Sequence, residues 1–204
     1  AGGGGGGGAG GGARDGAGSG RTGVADDWGA TLWGEAVRPW FVDAGGAALG
    51  RVVGQSPFMV KPSASEAAEL RGHRVAGVAD AAQLLRALRA KGIRYPAITL
   101  GADGALGAEG GEVWHARLAV DGVLNAVGSG DCFLAGMVVA LVRGAGMREA
   151  LRLAVACGAA HAPGDAPGFV TLDRVRAPLP RVPVPRLGCL RPPRETVPAP
   201  LSVV

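Results

Sequence analysis

Cysteines, aromatic residues and long apolar runs are all scarce in this chain. Its three cysteines, Cys132, Cys157 and Cys189, have neither the paired spacing of a disulfide framework nor the spacing of metal ligands, which predicts a reducing, cytoplasmic setting. No apolar run reaches the roughly 18 residues of a membrane span, and no charged segment precedes a hydrophobic stretch as in a secretory signal. The sequence therefore predicts a soluble protein without a membrane partner.

Several nucleotide-binding and nucleic-acid-binding signals are also missing. The net charge of +4 comes largely from arginines near the C-terminus, where no aromatic side chain could stack on bases, so we expect no specific nucleic-acid partner. No G-x-x-x-x-G-K-[ST] occurs, which excludes a P-loop enzyme. No G-x-G-x-x-G follows an early strand, which disfavours a dinucleotide-binding oxidoreductase.

The two ends of the chain differ in composition from its middle. Of the 38 glycines, 14 lie in the first 23 positions, and 8 of the 14 prolines lie after residue 177. A polyglycine run buries too little apolar surface to offset its lost backbone freedom, and alternating proline and arginine favour extended chain. We therefore predict a disordered segment over 1–17, one domain over 18–172 and a disordered Pro/Arg-rich tail over 173–204.

Between the two ends, short apolar runs alternate with helical patterns. Strands are predicted at 40–46, in PFMVKP and in YPAITL, and helices before Pro39, in AALGRVV, after a capping box of Ser63 and Glu66, and over 80–92. An antiparallel pair joined at Gly110 and Gly111 follows. This alternation predicts an α/β fold, with a doubly wound, mostly parallel sheet and helices on both faces. Ligands of such sheets bind at the carboxyl ends of the strands.

The stretch NAVGSGDCFLAGMVVALV, residues 125–142, combines a glycine turn with an apolar helix. Gly128 and Gly130 permit unusual backbone conformations and keep side chains away, while apolar residues from Phe133 onward follow helical spacing. The free amides and positive end of such a helix form an anion site. The pattern predicts that a phosphate binds here.

Five segments in order resemble the PfkB, or ribokinase-like, family of carbohydrate kinases over roughly residues 18–172. They are FVDAGGAAL, KPSASEAAEL, TLGADGAL, NAVGSGDCFLAG and ACGAAHA. Asn125 and the GSGD form are similar to the branch of 1-phosphofructokinases and tagatose-6-phosphate kinases. The resemblance implies a ribokinase-like fold and transfer of the γ-phosphoryl group of MgATP to a hydroxyl of a sugar or sugar phosphate.

By this resemblance Asp131 would be the general base, and the backbone of Val127, Gly128, Ser129 and Gly130 would form an anion hole. A positioned base contributes about 10²- to 10⁴-fold, and each preorganised donor roughly 3 to 4 kcal/mol, so several amides together should outweigh the base. The nucleotide would be bound by Thr99, Gly101, Asp103, Gly104, Ala160 and His161.

Each of these assignments has a purely structural alternative. Asp131 could simply stabilise a helix N-terminus, worth about 0.3 to 1 kcal/mol, and the Ala-Asp-Gly sequence ending at Gly104 is also an ordinary turn. Glu66 would act through metal-bound water, or only complete the capping box. Lys61 could attract phosphate or lie solvated at a strand end.

The chain also departs from the family pattern. Ser63 and His161 stand where the family has asparagine, and Gly45 where it has serine. Relatives carry an N-terminal half with the sugar-binding residues and a small β lid, which polyglycine replaces here, so the predicted fold is truncated at its N-terminal side. We expect this chain to hold ATP weakly and to phosphorylate sugar poorly, and a nucleotide-binding remnant or pseudokinase stays open as the alternative.

Overall fold

The computed structural model describes residues 39–123, 126–164 and 166–189. Six strands lie in these ranges: β1 (Phe41–Val42), β2 (Met59–Val60), β3 (Tyr95–Thr99), β4 (Ala105–Glu109), β5 (Glu112–Ala116) and β6 (Arg186–Cys189). The α-helices are α1 (Gly46–Val53), α2 (Ala64–Arg71), α3 (Val78–Ala90), α4 (Ser129–Val142), α5 (Met147–His161) and α6 (Leu172–Arg176). Single 3₁₀ turns occupy Gly101–Asp103 and Leu179–Arg181.

The strands form one sheet in the order β1-β2-β3-β4-β5-β6. The first three pair in parallel, whereas β3–β4, β4–β5 and β5–β6 are antiparallel. Four of the six described strands, namely β1, β2, β3 and β5, therefore run in the same direction. Their carboxyl ends meet at one edge of the sheet, where ligands of α/β proteins bind.

Helices cover both faces of the sheet, because successive strand residues point to opposite sides. On one face Met59, Ala97 and Ala105 pack in a cluster with residues of α4 and α5, including Phe133 and Leu151. On the other face a second cluster joins the strands to α1, α2 and α3 through Leu49, Val60, Ala67, Leu85, Leu88, Ile98 and Leu106. The predicted α/β class with two helical layers is confirmed.

Helices α4 and α5 are in direct contact at Gly136. A Cβ placed on Gly136 of α4 would lie 2.7 Å from Ala154 Cα and 3.1 Å from Cys157 Sγ. Contacts this short leave no room for a methyl group. The glycine thus fixes the approach of α5, and with it the position of the residues at its C-terminal end.

Local predictions agree with the structure where the signal is short-range. Ser63 caps α2, and Glu66 accepts from the Ser63 amide as the capping box requires. The antiparallel pair around Gly110 is β4 and β5. Helix α3 begins at Val78, two residues before the predicted start at 80, and Asp80 Oδ2 accepts from the amide of Ala76. The predicted helix before Pro39, the Gly-rich segment 1–17 and Asn125 lie outside the described residues.

The prediction of a disordered tail is wrong for residues 173–189. Val182 and Val184 are buried while the prolines between and after them are exposed, so the sequence VPVP at 182–185 alternates between buried and exposed residues. Arg148 and Arg152 of α5 donate to the carbonyls of Val184 and Val182, each at 3.5 Å. The chain then adds β6 to the sheet, where Arg186, Gly188 and Cys189 pair with Trp114, Val113 and Glu112 of β5.

Candidate functional site

Three parallel strands deliver polar groups to the same edge of the sheet. Asp43 follows β1, Lys61 follows β2, and Thr99 ends β3. The Lys61 amide donates to Val42 O at 2.9 Å and the Thr99 amide to Pro62 O at 3.1 Å, so the pairing extends to these positions. The register of the sheet therefore places residues distant in sequence beside one another.

Lys61 is buried and paired at this edge. Its side chain is 4 % exposed, and its Nζ lies 2.8 Å from Asp43 Oδ2. The alternative that Lys61 is solvated at the strand end is therefore wrong. Burying an ammonium group is costly unless a carboxylate and hydrogen bonds compensate it. Nζ also lies 3.6 Å from the position that a Cβ on Gly130 would occupy, which places this positive charge beside the start of α4.

The start of α4 has amides available for an anion. Gly128 is the N-cap with φ +90°, and no side chain caps the helix. The Ser129 amide donates to Ala126 O at 3.2 Å, but the amides of Gly130 and Asp131 have no partner among the described residues. Val127 and Asp131 are exposed. The loop thus faces solvent, with two amides and a helix dipole directed outward.

Gly128 is required by contacts as well as by its backbone angle. A Cβ at this position would collide with the Gly168 amide nitrogen and lie 2.9 Å from Gly168 Cα and 3.2 Å from His161 Nε2. The turn before α4 therefore packs directly on the loop after α5. A residue with a side chain would have to move one of these two segments.

His161 joins the same two segments from inside the protein. Its side chain is fully buried. Ser129 Oγ lies 3.0 Å from Nδ1, and the Gly168 amide donates to Nε2 at 2.9 Å. Because both ring nitrogens have protein partners, a direct contact between this ring and a nucleotide would require one of these bonds to break. The predicted cofactor role of His161 stays a prediction that this geometry does not favour.

Glu66 is held at the strand edge by its capping box. Burial raises the pKa of its carboxyl group, but hydrogen bonds from Ser63 and the charge of Lys61 outweigh this, so the pKa lies below its ordinary value of 4.5. A Cβ on Gly45 would lie 3.3 Å from Glu66 Oε1. The carboxylate is therefore ionised at neutral pH and adjoins the loop that carries Asp43.

The predicted nucleotide turn lies at the end of β3. Gly101 has φ +60°, and a Cβ there would meet nothing within 4 Å, so its backbone is open to a ligand. Gly104 differs, because a Cβ would collide with Ala116 O and lie 2.8 Å from Arg117 Cα. The absence of a side chain at Gly104 therefore allows the start of β4 to lie close to the end of β5. The Asp103 carbonyl accepts from His115 Nε2 at 2.7 Å, and its carboxylate lies 3.7 Å from Arg117.

A cleft of about 370 Å³ opens beside the C-terminal end of α5. Its walls are mainly apolar and include Leu118, Val120, Ala160 and Pro163. The charged residues that line it are Asp121, Arg174 and Arg181. This volume and lining suit a flat, mostly apolar ring with a few polar edges. Of the predicted nucleotide residues, Ala160 lines the cleft, whereas Thr99, Gly101, Asp103 and Gly104 lie elsewhere.

The described residues contain no group of three or more His, Cys, Asp or Glu side chains that could hold a metal ion. Mg²⁺ commonly keeps several waters and binds through one or two carboxylates together with phosphate oxygens. Glu66 fits such an indirect role, because its carboxylate is ionised near the strand edge. Within the same ranges, none of the helices has the length and apolar character needed to cross a membrane.

Sequence reasoning missed three parts of this site. Asp43 lies within the strand predicted at 40–46, but its partner Lys61 is 18 residues away and only the sheet register joins them. The hydrogen bonds of His161 to Ser129 and Gly168 likewise depend on tertiary packing. A buried lysine beside a GSGD turn could have been anticipated from the strand that precedes it, since PFMVKP is apolar up to that residue.

The fold is that of an α/β protein with a candidate anion site at the carboxyl edge of its parallel strands, and comparison with known sequences gives its family. The pattern of the pfkB family carbohydrate kinases matches residues 39–162, and the chain belongs to this family. It is 31 % identical to a 1-phosphofructokinase of Bacillus subtilis over 146 residues, covering 72 % of this chain and 48 % of that protein. It is 36 % identical to a 1-phosphofructokinase of Haloferax volcanii over 114 residues, covering 56 % and 37 %.

Solved structures share the fold. A Staphylococcus aureus protein assigned provisionally to the phosphofructokinases superposes with a TM-score of 0.69 at 28 % identity, over 81 % of this chain and 52 % of its own. Phosphofructokinase-2 of Escherichia coli, in complex with substrates and products, superposes with a TM-score of 0.64 at 22 % sequence identity, over 70 % of this chain and 47 % of its own. This similarity shows the fold alone. The chain thus spans about half the length of the proteins it resembles. The ribokinase-like architecture is confirmed.

Proposed function

We propose that this chain is the nucleotide-binding and phosphoryl-transfer part of an ATP-dependent kinase that acts on a hydroxyl of a sugar phosphate, as a 1-phosphofructokinase does. The observation that carries the proposal is the start of α4. There, two amides without a partner among the described residues adjoin the exposed carboxylate of Asp131 and the buried ammonium of Lys61. Similarity to two 1-phosphofructokinases supports the choice of substrate class.

Phosphoryl transfer requires charge stabilisation more than covalent participation by the protein. The amides of Gly130 and Asp131 would hold the transferred group, and fixed donors of this kind contribute roughly 3 to 4 kcal/mol each. Lys61 adds a full positive charge that needs no reorganisation, since its ion pair with Asp43 already fixes it. Bound ATP would supply the phosphoryl group, and its Mg²⁺ would neutralise phosphate charge.

Asp131 would accept the proton of the sugar hydroxyl. Its exposure in the first turn of α4 leaves the carboxylate accessible to a substrate. A base in this position contributes about 10²- to 10⁴-fold to the rate. The cleft beside Ala160 would receive the base of the nucleotide. Gly101 lies outside the cleft and would let the backbone approach another part of the nucleotide. The two free buried thiols, Cys132 and Cys157, support a reducing compartment for the protein.

The alternative is a nucleotide-binding remnant or pseudokinase without a sugar site. Calorimetric titration with MgATP, followed by a kinase assay with fructose 1-phosphate, separates the two. Turnover that falls at least about a hundred-fold in Asp131→Asn, with nucleotide affinity retained, supports the kinase. MgATP binding without turnover in either protein supports the remnant, and absence of MgATP binding contradicts both.

A further inference from the structure

The hydrogen bonds of His161 fix which of its nitrogens carries the proton. The Gly168 amide can only donate, so Nε2 must accept, and the neutral ring then carries its proton on Nδ1. Nδ1 therefore donates to Ser129 Oγ at 3.0 Å. The serine hydroxyl in turn cannot give its own hydrogen to the ring. In the described part of the chain His161 is the one partner of this hydroxyl.

We propose that His161 is a positioning residue that directs the Ser129 hydroxyl hydrogen toward the phosphate at the start of α4, so that Ser129 donates to it beside the amides of Gly130 and Asp131. This inference rests on the proposed function and adds a side-chain donor to a site otherwise made from backbone. Ser129 is the first residue of α4 and half-buried, so its hydroxyl lies in the same turn as these amides. Gly168 takes part only by holding the ring.

The geometry excludes activation of Ser129 as a nucleophile by His161. A serine is activated as a nucleophile when a histidine nitrogen accepts its proton. Here Nδ1 is protonated and Nε2 is occupied by the Gly168 amide, so the ring cannot act as that base. The Ser129 hydroxyl is therefore a donor to a ligand and not an attacking group. Full burial of His161 holds this arrangement in place.

Four variants test the inference by titration with MgATP and, in parallel, with adenosine. Ser129→Ala removes the hydroxyl but keeps the amides, and should weaken MgATP binding about ten- to a hundred-fold, as for a hydrogen bond to a charged group. His161→Gln keeps an acceptor for Gly168 but no donor at the δ position, and should lose as much. His161→Asn keeps a δ donor and should restore most of the affinity. Adenosine binding should be unchanged throughout, and the exposed His73→Gln serves as the matched control.

The double variant Ser129→Ala/His161→Gln should bind no more weakly than Ser129→Ala alone, because the histidine acts through the serine. Unchanged MgATP affinity in Ser129→Ala, or equal losses in His161→Asn and His161→Gln, would overturn the inference while leaving the proposed function intact. No MgATP binding by the unmodified chain would overturn both.

Nitrogen-15 NMR of the imidazole rings gives a second test that needs no ligand. The chain has three histidines, and His161→Asn assigns the signals of His161 by their disappearance. His161 should be protonated on Nδ1, and His115, whose Nε2 lies 2.7 Å from a carbonyl oxygen, on Nε2. A proton on Nε2 of His161 would contradict the inference, as would a doubly protonated His161.

Discussion

Replacement of Gly128 by alanine should disrupt both the stability and the anion site of this protein. The residue has φ +90°, a region that costs a residue with a Cβ about 1 to 2 kcal/mol. The new methyl group would also collide with the Gly168 amide, and displacing that loop would leave buried His161 Nε2 without its donor, a further loss of about 1 to 3 kcal/mol. We therefore expect the free energy of unfolding to fall by about 2 to 5 kcal/mol, a large part of the total for a domain.

Urea denaturation followed by circular dichroism measures this loss, with Gly72→Ala as the matched control. Gly72 also has a positive φ, +72°, but a Cβ there would meet nothing within 4 Å. Only the backbone cost of about 1 to 2 kcal/mol should then apply. Equal losses in the two variants would refute the reasoning, because they would mean that the Gly128–Gly168 contact carries no energy. MgATP affinity should fall in Gly128→Ala and stay unchanged in Gly72→Ala.

Three further outcomes are expected. Lys61→Met should weaken MgATP binding at least about ten-fold, as for the loss of a charged donor. The matched control Lys91→Met changes an exposed lysine and should leave the affinity unchanged. Equal titration curves for the two variants would contradict the role of Lys61. Glu66→Gln keeps an acceptor for the capping box but replaces a charged acceptor by a neutral one, which should cost about 1 kcal/mol at pH 7. Because the folded pKa of Glu66 lies below 4.5, its stabilisation exists above that pH and is lost as pH falls through the folded pKa, so denaturation at pH 3 should show a smaller difference. Burial, with a smaller effect from neighbouring Cys132, raises the pKa of Cys157 to about 11, so at pH 8 mass spectrometry should find its alkylation by iodoacetamide only after unfolding.

The sequence predicted those features whose causes lie within a few residues. The capping box of α2 needs only Ser63 and Glu66, and the antiparallel pair needs only the turn at Gly110 between two apolar runs. Helix α4 follows from the apolar spacing after Asp131. In each case local propensity and tertiary structure favour the same conformation, which is the condition for reading structure from sequence.

Features that depend on distant partners could not be read in this way. The composition of residues 173–189 indicates extended chain, and β6 is indeed extended, but order comes from β5 and from the arginines of α5. The burial of Lys61 depends on Asp43, and the role of His161 on Gly168. Proline content indicates the conformation that a segment adopts in isolation, whereas its order in the protein depends on the residues that it packs against.

The C-terminal segment is therefore part of the candidate site and not an appendage to it. Arg174 and Arg181 line the cleft that also includes Ala160, and both lie after residue 172, where the resemblance to the family ends. Two valines, buried on α5, hold that segment in place. The cleft has mainly apolar walls and two guanidinium groups against one carboxylate, that of Asp121, so its net charge would favour a ligand that carries negative charge. A nucleotide has both an apolar part and negative charge: its base would fill the cleft, and its phosphates would lie near the positive charges.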